Sequence, residues 1–411
     1  MINLSMARVR QRFPRPRIDD LRAEIAAKME RLAPSIRPGM SVAITAGSRG
    51  INEIPHILGT VVSVLKGMGA KPYLVSAMGS HGGGTPEGQR NLLAHLGITE
   101  ESVSAPLRVT SDAVAVGTTE SGHVLYADAE AVKADAILPV NRIKAHTAFQ
   151  DNLASGLFKM LTVGLGKTPG ATQVHKLSST GIFRAIVEMG RLALERLPVI
   201  GGLAVIENGY EETALIELLL PFEMESREQE LLEYAKGLLP ALPVDRLDLL
   251  VVEEMGKNFS GTGMDTNIIG RWKAKGIPEP EFPSIGRIVV LRLSEASEGN
   301  ANGIGLADVT TRKLVEAIDW TATLMNVRTT GFWERAFCPP FPGNDRDAIH
   351  WALESLALPP GREIAAARIH NTLHIEELWL TPAALEAAKG CERIGPASPL
   401  LFSEEGDLLP G

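Results

Sequence analysis

The chain has 411 residues, of which 45% are hydrophobic and 22% are charged, so it has the composition of a globular protein that can bury large cores. Its formal net charge of −8 excludes the basic footprint of a nucleic-acid-binding protein. Its two cysteines, Cys338 and Cys391, exclude a disulfide framework and a cysteine-based zinc site. Because no apolar run reaches membrane-spanning length and no signal peptide opens the chain, we expect a cytoplasmic protein with no membrane partner.

The first feature in chain order is a basic segment that two prolines interrupt; its arginines are Arg8, Arg10, Arg12, Arg15 and Arg17. No amphipathic run of helix length precedes the prolines, so a transit peptide is disfavoured. We expect this segment to be a solvated or interface-packed arm.

The next part of the chain alternates predicted helices and predicted strands. Hydrophobic periodicity predicts helices at residues 18–33, 54–68 and 86–96, and short buried strands at residues 41–45, 72–77 and 136–140. This alternation favours a mostly parallel sheet flanked by helices. Ligands bind outside the carboxyl ends of such strands. We therefore expect Arg49, His81 and His146, each of which follows one strand, to gather at a single site.

The rest of the chain completes the first α/β unit and predicts a second one. Strands at residues 202–206 and 214–219 and a helix at residues 225–237 precede the boundary; strands at residues 248–253 and 287–292 and a short helix at residues 381–390 follow it. A Leu- and Pro-rich stretch at residues 238–243 is the best boundary. The predicted fold class is therefore α/β, with two α/β domains, mostly parallel sheets and an active-site cleft between them. The domains are residues 1–243, on which residues 385–411 pack back, and residues 244–384.

Two short motifs resemble a P-loop and a zinc site, and we disfavour both interpretations. Gly164-Leu-Gly-Lys167-Thr resembles a P-loop, but Leu161 stands where that motif needs a glycine. His370 and His374 have the i, i+4 spacing of two zinc ligands on one helix, but a strand-like Leu-Trp-Leu run follows them. A lone histidine is otherwise most often a satisfied surface or core residue.

The ordered loops of the first half resemble those of the lactate racemase family. The matching segments are Ala46-Gly47-Ser48-Arg49 after the first strand, Gly79-Ser80-His81 after the second, then His146, Ser155-Gly156-Leu-Phe-Lys159, and His175 sixteen residues beyond the lysine. In the second half, Asp265-Thr-Asn267-Ile-Ile-Gly270-Arg271-Trp272-Lys273 resembles the family's substrate helix, with Gly270 in place of a glutamine.

The resemblance implies a nickel-pincer nucleotide, which is pyridinium-3-thioamide-5-thiocarboxylic acid mononucleotide with bound nickel. Lys159 would anchor it covalently and His175 would bind the nickel, while the other cofactor-binding residues would be Ala46, Gly47, Ser48 and Arg49. An imidazole beside sulfur donors suits square-planar nickel. The host's cofactor-synthesis proteins would then be partners of this chain.

The resemblance also implies the reaction, which is racemisation or epimerisation of a 2-hydroxy acid by proton-coupled hydride transfer. His81 and His146 would be the acid/base residues, because an unperturbed pKa of about 6.5 lets histidine take and return a proton near neutrality. The substrate-binding residues would be Arg49, Gly270, Lys273 and Trp333. Because the family's glutamine is replaced by Gly270, we expect open space there and a substrate larger than lactate.

Two alternatives stay open at this stage. One is a sugar-acid isomerase of the same fold. The other is a non-catalytic binding protein that has lost the cofactor, although the joint presence of His81, His146, Lys159 and His175 disfavours it.

Overall fold

The computed structural model describes residues 4–411 apart from Arg49, residues 146–152, Ala154, Ser178 and Pro360, and it describes only the backbone of residues 175, 179, 180, 329 and 330. The chain divides into two compact units. The first unit lies within residues 14–239, and the second combines Met1–Phe13 with Pro240–Gly411. Both units contain sheets and helices, so the predicted α/β class is confirmed.

The strands of the described residues, in chain order, are β1 Ser5–Gln11, β2 Ser41–Ala46, β3 Lys71–Ser76, β4 Leu107–Arg108, β5 Ala113–Thr118, β6 Val124–Asp128, β7 Ala136–Leu138, β8 Val140–Arg142, β9 Gly202–Glu207, β10 Thr213–Leu219, β11 Arg246–Met255, β12 Ser284–Leu293, β13 Ala366–Ile369, β14 Glu377–Leu380 and β15 Cys391–Pro399.

The α-helices of the same residues are α1 Leu21–Met29, α2 Ile54–Gly67, α3 Pro86–His95, α4 Glu100–Val103, α5 Leu157–Lys159, α6 Lys167–His175, α7 Ser179–Arg196, α8 Met224–Gly237, α9 Thr266–Ile269, α10 Arg312–Glu316, α11 Trp320–Thr330, α12 Asp345–Glu354 and α13 Pro382–Ala387. One π-helical turn, Met160–Gly164, lies between α5 and α6. No helix among the described residues combines the length and the apolar character that crossing a membrane requires.

The first unit is built on a sheet of order β4-β3-β2-β7 whose strands all run parallel. Parallel strands are covered on both faces, which explains why β2 reads as a nearly continuous apolar run and is almost entirely buried. Helix α2 packs on this sheet because its apolar residues recur at helical spacing, as Ile57, Leu58 and Val61 illustrate. Pro55, in its first turn, fits the start of a helix because it needs no N–H partner there.

A proline divides the third predicted strand between two sheets. We predicted one strand at residues 136–140, but β7 pairs with β2 whereas β8 pairs with β9. Pro139, which stands between β7 and β8, has no N–H to donate to a ladder. The two sheets stay connected because the Thr45 hydroxyl accepts from the Val140 N–H at 2.9 Å and donates to the Val140 carbonyl at 3.3 Å.

The second unit is built on a six-stranded sheet of order β12-β11-β13-β14-β1-β15. Strands β12, β11 and β13 are parallel. The pairs β13–β14, β14–β1 and β1–β15 are antiparallel. Its cores lie on the apolar faces of β11 and β12.

The basic segment near the start of the chain is a strand of this second sheet, so part of it is not the arm that we expected. In β1 the buried residues Met6, Ala7 and Val9 face the core, while Arg8 and Arg10 both bind Glu377 on β14 at 2.5 Å. The structure thus groups residues 1–13 and 385–411 with the second unit, whereas the predicted first domain began at residue 1. The reason is long-range pairing, since β1 lies between β14 and β15.

Candidate functional site

Two loops of the first unit meet at the carboxyl edge of its parallel sheet. Strand β2 leads into Gly47 and Ser48, and the parallel neighbour β3 leads into the loop that carries His81. The Ser48 hydroxyl and His81 Nδ1 are 2.5 Å apart, a hydrogen bond whose donor depends on the histidine tautomer. The expected meeting of these two loops is therefore observed, and the imidazole of His81 lies at an exposed position with its orientation restrained.

Glycines allow the His81 loop to lie close to the following helical segment. Gly79 has a φ of +58°, and a Cβ there would come 3.1 Å from the Ala171 Cβ and 3.2 Å from the Val163 carbonyl oxygen. Gly84 has a φ of +68°, and a Cβ there would lie 2.6 Å from the Thr168 hydroxyl. Residues other than glycine rarely adopt these backbone conformations, so the glycine-rich sequence permits this close approach.

The segment that carries Lys159 changes helix type next to that lysine. Lys159 ends α5 and is partly exposed, and the π-helical turn begins at the next residue. Such π-turns are rare and often occur at functional sites. The turn lies against the loop after β2, because a Cβ on Gly47 would come 3.2 Å from the Met160 methyl carbon. We call Gly47, Ser48, His81 and residues 157–164 the candidate site.

A buried carboxyl group fixes the start of this segment. Glu228 Oε2 accepts the backbone N–H groups of Leu157 at 2.9 Å and Phe158 at 3.2 Å. Gly156 is required beside it, because a Cβ there would lie 2.2 Å from Glu228 Oε1. Burial raises the pKa of Glu228 to about 8, against the opposing effect of the two N–H donors. The carboxyl group is therefore mostly protonated at pH 7.

A second buried polar group, around Lys167, was not predicted from the sequence. The Lys167 side chain is 1% exposed, and its ammonium lies 2.6 Å from Asp128 Oδ2. Burial lowers the pKa of Lys167 and raises that of Asp128, while their mutual attraction opposes both changes. The lysine of the P-loop-like motif thus points into the core, where it is not available to a nucleoside triphosphate, in line with the disfavoured P-loop. The only sequence signal was an acid and a lysine in apolar surroundings.

Glu207 is another residue of this edge that the sequence analysis missed. It ends β9, forms an ion pair with Arg142 at the end of β8, and accepts the Asn52 N–H at 2.6 Å. The carboxylate therefore joins the loop after β2 to the strand that precedes His146. Its position at the carboxyl end of a predicted strand was the available signal.

Several predicted site residues lie outside the description. Arg49 and His146 are not among the described residues, and of His175, which ends α6, only the backbone is described. Their assigned roles therefore stay predictions. Ala46 is described, and its side chain is buried in the core cluster rather than exposed at the edge.

The predicted substrate residues of the second unit are described, and one expectation about them is wrong. Gly270 does not leave open space: its φ is +59°, and a Cβ there would lie 1.7 Å from the Pro283 carbonyl oxygen. The glycine ends α9 in a left-handed conformation against another backbone segment. Lys273 donates to the Gly305 carbonyl at 2.6 Å, and burial lowers its pKa. Trp333 is 54% exposed.

The two histidines of the disfavoured zinc motif are not on a helix. His370 Nδ1 lies 3.4 Å from Glu253 Oε2, and the His374 ring packs edge-to-face on Phe259 with centroids 6.3 Å apart. Within the described part of the chain, no group of three or more His, Cys, Asp or Glu side chains is arranged to hold a metal ion.

Comparisons with known proteins give only distant structural similarity. No protein-family model matches the chain, and no curated protein matches it. Among solved structures, the lactate racemase apoprotein from Thermoanaerobacterium thermosaccharolyticum is similar at 10% identity and a TM-score of 0.47, covering 87% of this chain and 95% of that one. A similarity of this extent establishes neither the family nor an activity.

Proposed function

We propose that this protein is a racemase or epimerase of a 2-hydroxy acid, with His81 as one of its two acid/base residues. The observation that carries the proposal is the contact between Ser48 Oγ and His81 Nδ1 at the carboxyl edge of a parallel sheet. An imidazole that is oriented by a hydroxyl and exposed at such an edge can take a proton from a substrate hydroxyl and return it.

Inversion of a carbon centre requires a proton-transferring group on each face of the substrate. We assign the second role to His146, which follows β8 by four residues. Thr45 joins β8 to β2, and Glu207 joins the end of β8 to the loop after β2. These contacts place Arg142, four residues before His146, next to the loop after β2.

We further propose that the protein binds a nickel-pincer nucleotide, with Lys159 as its covalent anchor and His175 as the nickel ligand. When bound, this cofactor supplies the hydride acceptor that the reaction needs. Two features of the described residues fit such a group. Lys159 is partly exposed. The neighbouring loop has a glycine at position 47, where a side chain would crowd Met160 on the segment that carries the lysine. The chain's own contribution is to carry Lys159 on a segment that lies against Gly47, next to the serine that contacts His81.

The proposal does not include a preference for substrates larger than lactate. That preference depended on open space at Gly270, and a backbone carbonyl fills the space instead. Lys273 remains the proposed contact for a substrate carboxylate.

The experiment is a stereochemical assay on protein co-expressed with the cofactor-synthesis proteins. Each enantiomer of several 2-hydroxy acids is incubated in D2O, and chiral chromatography with mass spectrometry follows both configuration and deuterium content. We expect interconversion without deuterium at the inverted carbon. His81→Ala should abolish it, whereas His56→Ala, which alters an exposed histidine of α2, should not. Extensive deuterium incorporation would refute hydride transfer.

A second measurement tests the cofactor without requiring turnover. Intact mass and nickel content of the purified protein should reveal an adduct. Lys159→Ala should remove it, and Lys236→Ala, which alters a lysine of α8 that is also partly exposed, should retain it. Full nickel content in Lys159→Ala would contradict the anchor role. An unmodified, nickel-free protein that binds hydroxy acids without turnover would favour the binding-protein alternative, and turnover of polyhydroxy acids alone would favour the sugar-acid isomerase.

A further inference from the structure

The Lys167 ammonium is the centre of a buried hydrogen-bond cluster behind the His81 loop. Besides Asp128, it contacts the Ser76 carbonyl oxygen at 2.5 Å, the Ser76 hydroxyl at 2.8 Å and Gln89 Oε1 at 3.3 Å. Ser76 ends β3, directly before the His81 loop, and Gln89 lies on α3, directly after it. The cluster therefore joins the two ends of that loop.

Gln89 extends the cluster into the loop itself. Its side chain is completely buried, and its Nε2 donates to the carbonyl oxygens of Gly79 at 3.1 Å and His81 at 3.3 Å. Its Oε1 accepts from the Ser76 hydroxyl at 2.8 Å. An amide side chain has one accepting end and one donating end. Because Ser76 and Lys167 both donate to the oxygen, the amide nitrogen is directed at the loop.

We propose that Gln89 is a positioning residue for His81 and that the buried Lys167–Asp128 pair fixes the orientation of its amide. Three glycines follow His81, with φ values of +64° at Gly82, +67° at Gly83 and +68° at Gly84, so the backbone after His81 has wide conformational freedom. The two hydrogen bonds from Gln89 restrain the backbone before and at His81. Without them, the imidazole would lose the fixed distance to Ser48. The inference rests on the proposed function in one respect only, namely that His81 acts on the substrate.

The test uses Gln89→Glu, which keeps an oxygen toward Lys167 and Ser76 but replaces the amide nitrogen with an oxygen that faces two carbonyls. Gln11→Glu is the matched control in the second unit. The Gln11 side chain is also buried, and its Nε2 also donates to two carbonyl oxygens, those of Ala241 at 3.1 Å and Ile375 at 2.7 Å. Each variant loses two hydrogen bonds from a buried amide nitrogen to backbone carbonyls, but only Gln89 contacts the His81 loop.

The first readout is the nitrogen NMR spectrum of protein labelled at histidine, which needs neither cofactor nor activity. In Gln89→Glu the His81 ring signals should move to the positions that they take in Ser48→Ala, and in Gln11→Glu they should stay at the wild-type positions. The second readout is turnover of the loaded enzyme. Gln89→Glu should lower kcat about 10-fold with little change in KM, because a positioning effect acts on the reacting group rather than on binding.

Unchanged His81 signals in a folded Gln89→Glu variant would overturn the proposal. If that variant does not fold, Gln89→Met replaces it, because it removes both hydrogen bonds that Gln89 donates to the loop without placing a carboxyl group in the core. The His81 signals should move in the same direction, and unchanged signals would again overturn the proposal. A wild-type protein without racemase activity whose His81 signals still depend on Gln89 would refute the proposed function and support the positioning role.

Discussion

Glu228 should make the stability of the protein fall as the pH rises. Its pKa is raised from 4.5 to about 8 by burial. Between these values the folded chain keeps a proton that the unfolded chain has released, so folding takes up a proton. The stabilising contribution is therefore complete below pH 4.5 and is lost as the pH rises to about 8. Each pH unit in this window corresponds to about 1.4 kcal/mol, which gives a total of about 5 kcal/mol.

The measurement is the free energy of unfolding of the wild type and of Glu228→Gln, from urea titrations at about pH 5.5, 6.5 and 7.5. Glutamine has nearly the same shape but does not titrate, so the wild-type value minus the variant value should fall by about 1.4 kcal/mol per pH unit. Glu225→Gln is the control on the same helix. The pKa of Glu225 is lowered, chiefly by its hydrogen bond from Arg191. The free energy of unfolding of the wild type minus that of Glu225→Gln should therefore not change with pH over this range.

A flat difference for Glu228→Gln would refute the reasoning, because it would mean that Glu228 is already ionised in the fold below pH 5.5. A slope of the same size in Glu225→Gln would refute it as well, since the pH dependence would then not come from the buried carboxyl group.

Three further predictions concern the site and its supports. Thr45→Val should cost about 1–3 kcal/mol in chemical unfolding because it leaves the Val140 N–H unpaired, and Thr45→Ser, which keeps the hydroxyl, should cost less. Gly270→Ala should lower the melting temperature more than Gly276→Ala does. Both glycines have positive φ, but only at Gly270 would an added Cβ meet a backbone oxygen, at 1.7 Å, so equal losses would show that no clash occurs. Ser48→Ala should lower the kcat of the loaded enzyme about 10-fold and leave nickel content unchanged, and unchanged turnover would contradict its role in orienting the imidazole.

The sequence predicted the elements that form the candidate site because local patterns specify them. Strands β2 and β3 are short apolar runs that end in glycine-rich turns, and helix α2 between them has apolar residues at helical spacing. The parallel arrangement follows from the alternation of strand and helix. The proximity of Ser48 and His81 then follows from the geometry of a parallel sheet.

The features that were missed depend mainly on contacts between distant residues. Lys167 reaches Asp128 and Ser76, which precede it by 39 and 91 residues, and no local pattern marks a lysine as buried. Strand β1 is fixed by partners near the other end of the chain. Helix α7 is different, because buried Ile182, Ala185, Ile186 and Met189 stand at helical spacing and provided a local signal that we did not use.

Strand β1 also determines the order in which the protein can be completed during synthesis. The ribosome makes residues 5–11 before their partners β14 and β15, which begin only at residues 377 and 391. Pairing over such a separation is slow, because a long segment of chain must be closed before any contact forms. The first unit can fold on the ribosome in the meantime, whereas β1 must stay unpaired until β14 and β15 have been made. An excised fragment of residues 240–411 would leave β14 and β15 without the strand that joins them, with open backbone edges that favour aggregation.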